Sequence, residues 1–169
     1  MPDTLAGLDR FNAAAEADAE EELLACCASR AFARAVASGR PYQDGDRLAG
    51  AAAAAVRGLA WPDVLEALAA HPRIGARPDG GGREAAWSRQ EQSGVEDGLR
   101  KALADGNRAY EDRFGHVYLI CATGLTGTQM LTRLRERLDH DDEAERGVVR
   151  DELAEITRLR IAKLLGEAP

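Results

Sequence analysis

Apolar positions recur every three to four residues along most of the chain, which is the spacing of helices with one buried face. By this pattern Leu5 to Asn12 forms a short first helix. Asp18 to Ser29 is a stronger one, with Glu20, Glu21 and Glu22 in a first turn where acidic groups suit the helix dipole. Ala31 to Ser38 follows and stops at Gly39-Arg40-Pro41. The alanine-rich run Asp46 to Leu59 predicts another helix, with Asp46 as its N-cap. Trp61-Pro62-Asp63 opens the next, because proline suits the first helical position. That helix passes through Leu65 and Leu68 and has to end near His71, since Pro72 disfavours helical geometry in its predecessor. Ile74 to Gly82 reads as loop. Glu84 to about Ser93 resumes helix, and Val95 to Phe114 is a long helix ending at Gly115. Val117 to Cys121 is a short apolar run; a lone strand would have no sheet to join, which favours a buried helix or an extended segment. Thr126 to Leu138 and Asp142 to Leu165 complete the chain. No repeat or linker divides it, so the expectation is a single all-α domain over residues 1–169, built from roughly eight helices.

The last helix carries an exception to its own pattern. Val149, Leu153 and Ile156 step along one face, and the next position on that stripe is Arg160, followed by Leu164. A guanidinium on a core-facing stripe requires an anionic or strongly polar partner. That partner is either internal or a ligand at the floor of a pocket. Arg158 instead follows Asp151 and Glu155, a solvated stripe where a Glu–Arg pair is routine. A second cluster lies in "WSRQEQSG", Trp87 to Gly94. Ser88, Glu91 and Gln92 stand at i, i+3 and i+4, so on a helix they share one face and can converge on a small polar molecule. The same spacing also describes a capping box, with Ser88 as cap and Glu91 reaching back. His71, one of only three histidines, falls at a helix C-terminus before a stiff turn. There it either satisfies the helix dipole or serves as a proton carrier tuned by it.

Composition narrows the class. The chain has 169 residues with 45% hydrophobic and 30% charged residues, enough for a core without disulfides or a structural metal. The formal net charge of −7 disfavours a general nucleic-acid or anionic-membrane surface. No apolar run is long enough to span a bilayer and no signal segment opens the chain, so a cytoplasmic protein is expected. Cys26 and Cys27 are adjacent and Cys121 is distant; an odd, badly spaced set argues against a disulfide framework and for small core or interface residues. The sequence contains no H-E-x-x-H, no Cys-x-x-Cys and no close histidine pair, so no metal site is expected. Gly80-Gly81-Gly82 lacks the context of a dinucleotide loop, and no Gly-x-Ser-x-Gly elbow is present.

Four segments in order resemble one known family: "HPRIG" at His71 to Gly75, "WSRQEQSG" at Trp87 to Gly94, "YEDRFGHVYLICATG" at Tyr110 to Gly124, and "EITRLRIAKLL" at Glu155 to Leu165. The chain resembles the decarboxylases of 2-oxo-4-hydroxy-4-carboxy-5-ureidoimidazoline (OHCU), which act in urate breakdown. The resemblance implies an all-helical, cofactor-free and commonly dimeric enzyme that converts OHCU to (S)-allantoin and carbon dioxide. Carried over residue by residue, it implies His71 and Glu91 as catalytic groups. Pro72, Ser88 and Gln92 become substrate contacts, as does the main chain of Leu119, Ile120, Cys121 and Ala122. The family also uses an arginine near its C-terminus; between Arg158 and Arg160, the stripe argument selects Arg160. Local departures are the Gly80 to Gly82 insert and a compact region from 94 to 110. The expected partners are a small-molecule substrate and a second copy of the chain, with no nucleic acid and no membrane. The alternative is an inactive helical module that keeps a pocket for a purine-like ligand.

Overall fold

The computed structural model describes residues 2–75, 83–91 and 97–166. The Gly80 to Gly82 insert and Gln92 lie outside the described residues. The described residues form nine α-helices and one short 3-10 turn, with no strand among them. The helices are α1 (Pro2–Ala13), α2 (Glu16–Cys26), α3 (Arg30–Ser38), α4 (Gly45–Arg57), α5 (Trp61–Leu68), α6 (Arg83–Glu91), α7 (Arg100–Phe114), α8 (Gly127–Arg137) and α9 (Asp142–Leu164). The 3-10 turn Asp97–Leu99 leads into α7. The chain divides into two compact units, residues 1–67 with 153–169, and residues 68–152.

Each predicted helix has a counterpart, although α7 begins at Arg100 rather than Val95 and the predicted positions 92–96 lie outside the described residues; side-chain caps mark the starts of α3, α4 and α8. Ser29 Oγ accepts from the Phe32 amide at 3.3 Å and starts α3. Thr126 and Gln129 form a reciprocal capping box on α8, with bonds of 3.1 and 2.9 Å. The α4 cap differs from expectation. Asp44, not Asp46, is extended and accepts from the Arg47 amide at 2.7 Å, which places Asp46 inside the first turn. Gly115 closes α7 at φ +81°, in the left-handed region where a side chain is disfavoured. Val117 to Cys121 is neither helix nor strand. Its residues run as an irregular segment between α7 and α8, with Tyr118, Leu119 and Ile120 buried.

In the first unit Leu8, Phe11, Leu23, Phe32, Val36, Leu48 and Val56 are buried. Cys26 and Cys27 lie among the buried residues and form no disulfide. Arg40 ties two helix ends together, donating to the carbonyls of Phe11 (2.9 Å), Ala14 (2.7 Å) and Ala37 (3.0 Å). These carbonyls lie at or just past the C-terminal ends of α1 and α3, where the helical hydrogen-bond pattern runs out. Gly7 allows α1 to approach the chain end closely: a Cβ there would stand 2.5 Å from the Leu165 carbonyl oxygen.

In the second unit a core of Ile74, Leu103, Tyr110, Tyr118, Ile120, Met130 and Leu134 gathers the turn after α5, the irregular segment, α7 and α8. Burying each large apolar side chain contributes about 1.5–3 kcal/mol. Tyr110 and Tyr118 meet edge to face, with ring centroids 5.3 Å apart. No helix among the described residues is long and apolar enough to cross a membrane.

Candidate active site

His71 lies in the turn after α5, three residues beyond the helix end. Its backbone amide donates to the Leu68 carbonyl at 3.0 Å, so the main chain of His71 serves the helix end and the ring is left for other contacts. The residue is half-buried, as is Pro72. From Arg73 onward the turn lies along one face of α7, and four residues of that helix, one per turn, meet it. Arg100 donates to the Gly75 carbonyl. Leu103 packs beneath Gly75, where an added Cβ would stand 3.3 Å away and where φ is +89°. Asn107 donates from Nδ2 to the Ile74 carbonyl at 2.7 Å. Glu111 takes the Arg73 Nε at 3.0 and 3.1 Å. A cleft of about 510 Å³ opens here, lined by Arg73, Gly75, Arg100, Asn107 and Glu111 among others; His71, Glu91 and Arg160 are not among its lining residues.

The segment from Tyr118 to Ala122 is held by polar groups that the sequence reading overlooked. Arg137, only 5% exposed, donates from one terminal nitrogen to the Leu119 carbonyl at 2.6 Å. Its other nitrogens engage Glu145, which is completely buried, at 2.5 and 2.9 Å. Glu145 also accepts from the Tyr110 hydroxyl and meets His140 Nδ1 at 3.1 Å. The Arg137 guanidinium stacks on the Tyr118 ring, 4.8 Å from its centroid. On the far side of the segment, Glu152 accepts from the Cys121 amide at 3.0 Å. The Ala122 carbonyl takes the Leu125 amide at 3.0 Å. Three of the main-chain groups from Leu119 to Ala122 are therefore engaged within the protein, and the Ile120 peptide groups take part in none of these bonds.

Burial and the Glu145 hydrogen bond push the Tyr110 phenol far above its usual range, more than Arg137 pulls it down. Burial does the same to Tyr118 against the opposing pull of Arg137. Burial alone would lower Arg137; the hydrogen bonds and charge of Glu145 outweigh it and hold the guanidinium above its ordinary value.

A signal for this network was present in the sequence. Met130, Leu134 and Arg137 repeat on α8 the exception that Arg160 makes on α9. Glu145 sits one helical step before Val149 on the apolar stripe of α9. Leu119, Ile120 and Ala122 are buried, whereas Cys121 is half-exposed.

In α6 the capping reading of Ser88 is corrected. The helix already starts at Arg83, and Ser88 lies inside it. The preceding Glu84, Ala85 and Ala86 are good helix formers that extend the element backwards. Glu91 is the last residue of α6 and is half-buried. In the first unit, Arg160 is completely buried, together with Leu153 and Ile161. Arg158 is exposed and pairs with Glu155 at 2.7 Å, as the stripe argument requires. Among the described residues, no group of three or more His, Cys, Asp or Glu side chains is placed to hold a metal ion.

The described residues thus define a helical protein, with the turn after His71 seated on α7 in one unit and a fully buried arginine on α9 in the other. The sequence model of OHCU decarboxylase matches residues 12–162, and the chain belongs to that family. It is 30% identical over 154 residues to the uric acid degradation bifunctional protein TTL of Arabidopsis thaliana, a match that covers 88% of this chain and 48% of that protein. The chain thus spans about half the length of this curated relative. It is 28% identical over 138 residues to the 2-oxo-4-hydroxy-4-carboxy-5-ureidoimidazoline decarboxylase of Amia calva, covering 79% of each chain. Among solved structures it is similar to an OHCU decarboxylase crystallised in the presence of (S)-allantoin, with TM-score 0.75 and 30% identity. That similarity covers 87% of this chain and 99% of the other.

Proposed function

We propose that this protein decarboxylates OHCU to (S)-allantoin without a cofactor, as a single family domain. The carrying observation is the family match over residues 12–162, which includes residues of both compact units and every candidate site residue named above. In OHCU the carboxylate and a hydroxyl share one ring carbon, and the neighbouring ring carbon belongs to a C=N bond. When the bond to the carboxylate breaks, its electron pair forms a C=C bond and displaces the imine electrons onto the ring nitrogen, which takes a proton. The hydroxyl then loses its proton to become a carbonyl, and the neighbouring carbon is protonated on one face. The substrate contains its own electron sink, so the protein has to bind, orient and move protons.

The roles follow from residue type. Arg160 counters the substrate's negative charge, because a guanidinium without water around it is a strong anion partner. His71 moves the proton at the hydroxyl or the ring, and Glu91 holds the ureido group or exchanges protons with His71. Pro72, Ser88 and Gln92 contact the substrate. Main-chain groups near Ile120 orient the ring; those of Leu119, Cys121 and Ala122 that the protein already engages give the segment its shape. We place the protein in the cytoplasm as a homodimer; its unbridged cysteines accord with a reducing compartment.

The test is chiral detection of allantoin from freshly generated OHCU. The wild type is expected to give the S enantiomer well above the spontaneous rate. His71→Ala should lose roughly 10²–10⁴-fold in turnover while keeping its far-UV helical signal. Racemic product at the spontaneous rate from the wild type would reduce the protein to an inactive ligand-binding module.

A further inference from the structure

The geometry points to Asn107 as a positioning residue for His71, an inference that rests on reading His71 as the proton carrier. The His71 main chain is fixed on one side by its amide bond to Leu68. On the other side only Pro72 and Arg73 separate it from Ile74, whose carbonyl takes the Asn107 Nδ2 hydrogen at 2.7 Å. Proline locks its own φ and restricts the residue before it, which leaves few soft backbone dihedrals between Ile74 and His71 to absorb a displacement. Asn107 is 2% exposed and lies in the middle of the α7 stripe that meets the turn. Among the described residues its Oδ1 has no hydrogen-bond partner. Within that set the donation to Ile74 is the bond that orients the amide.

The flanking contacts support the same reading. Gly75 needs its left-handed φ of +89° to turn away over Leu103, and Arg100 secures the Gly75 carbonyl. Arg73 and Glu111 close the near end through an ion pair at the surface. Of these contacts, only the Asn107 bond is a buried side-chain hydrogen bond to the main chain between His71 and Gly75. A helix face that meets a three-residue turn with one group per helical turn sets that turn's position along the helix axis. Beyond Pro72, the next side chain upstream of that turn is that of His71.

The test uses Asn107→Asp, which keeps the side-chain shape and replaces the donor with an acceptor facing a carbonyl. A milder companion is Glu111→Gln, which weakens the surface end of the same clamp. Two readouts are taken on folded protein: steady-state kinetics with OHCU, and NMR of histidine-labelled protein, in which His140 is the internal reference. Misplacing the imidazole should lower kcat roughly tenfold to a hundredfold. KM should stay within about threefold, because substrate binding is left to other groups. The His71 ring signal should move while that of His140 stays. Unchanged kcat and an unmoved His71 signal in folded Asn107→Asp would overturn the inference. So would activity that falls only in proportion to the folded fraction. If Asn107→Asp does not fold, Glu111→Gln is judged by the same two readouts, with a smaller effect in the same direction. If the wild type makes no (S)-allantoin but the His71 signal still responds to Asn107, the functional reading fails and the hold on His71 stands.

Discussion

Removing the Glu145 carboxylate should be among the most damaging single changes in the second unit, and its cost can be worked from the contacts. Glu145 is completely buried and accepts from Arg137 at 2.5, 2.9 and 3.2 Å, from the Tyr110 hydroxyl, and meets His140 at 3.1 Å. In Glu145→Ala the Arg137 guanidinium, 5% exposed in the wild type, keeps the Leu119 carbonyl and the faces of the Tyr118 and Tyr110 rings, none of which carries a compensating charge. An orphaned buried charge costs about 3–5 kcal/mol. A Tyr110 hydroxyl without its acceptor costs about 1–3 kcal/mol. The two penalties share one site and do not add fully, which gives an expected loss of about 4 kcal/mol. That is a large part of the roughly 5–15 kcal/mol that holds a domain folded. Urea unfolding followed by far-UV circular dichroism reads the loss as a lower midpoint at unchanged slope. The double variant Arg137→Met with Glu145→Leu removes both charges and should recover most of the stability, because a paired apolar replacement leaves nothing charged behind. A loss below about 1 kcal/mol in Glu145→Ala would refute the reasoning. So would a double variant as unstable as the single one.

The tyrosines give a pH prediction. Tyr110 and Tyr118 are held well above their usual value, chiefly by burial, and Tyr42 is raised in the same direction against the pull of Arg40. The unfolded chain ionises them near 10.0. A raised folded-state value means that their stabilising contribution is intact below that pH and is lost above it. The slope approaches about 1.4 kcal/mol per pH unit for each protected tyrosine. Near-ultraviolet phenolate absorbance should therefore lag in the native protein and rise abruptly on alkaline unfolding; smooth titration near the ordinary value would contradict the burial argument. For the two C-terminal arginines, Arg158→Ala removes an exposed pair and should shift stability by at most about 1 kcal/mol with KM unchanged. Arg160→Ala should raise KM about tenfold or more. Equal effects on KM would remove Arg160 from the substrate.

Much of the fold was legible because helices advertise themselves locally. A 3.6-residue apolar period, a proline before a turn and a glycine at φ +81° are properties of neighbouring residues, and they placed the helices to within a few positions. The burial of Arg160 and the exposure of Arg158 were readable for the same reason, since a stripe is a matter of counting along one helix. The same count applied to α8 leads to Arg137. A basic residue in the last turn of a helix also has an ordinary explanation in the helix dipole, so the stripe alone does not single Arg137 out. The Asp44 cap was missed by two residues, because Asp44 and Asp46 are chemically alike and only the backbone angle at Asp44 separates them.

From its residues alone this protein was determined to be helical, to place a histidine before a stiff turn, and to bury a guanidinium in its last helix. Only the tertiary structure decided which distant groups complete those features: Asn107 on the Ile74 carbonyl, Arg137 on the Leu119 carbonyl, and Glu145 beneath Arg137 and Tyr110. The reason is physical. A helix is specified by contacts three and four residues apart, which a linear chain displays. A buried polar group is satisfied by whatever the fold brings within 3 Å of it, and the sequence separation of 33 from Ile74 to Asn107 carries no local mark of that meeting.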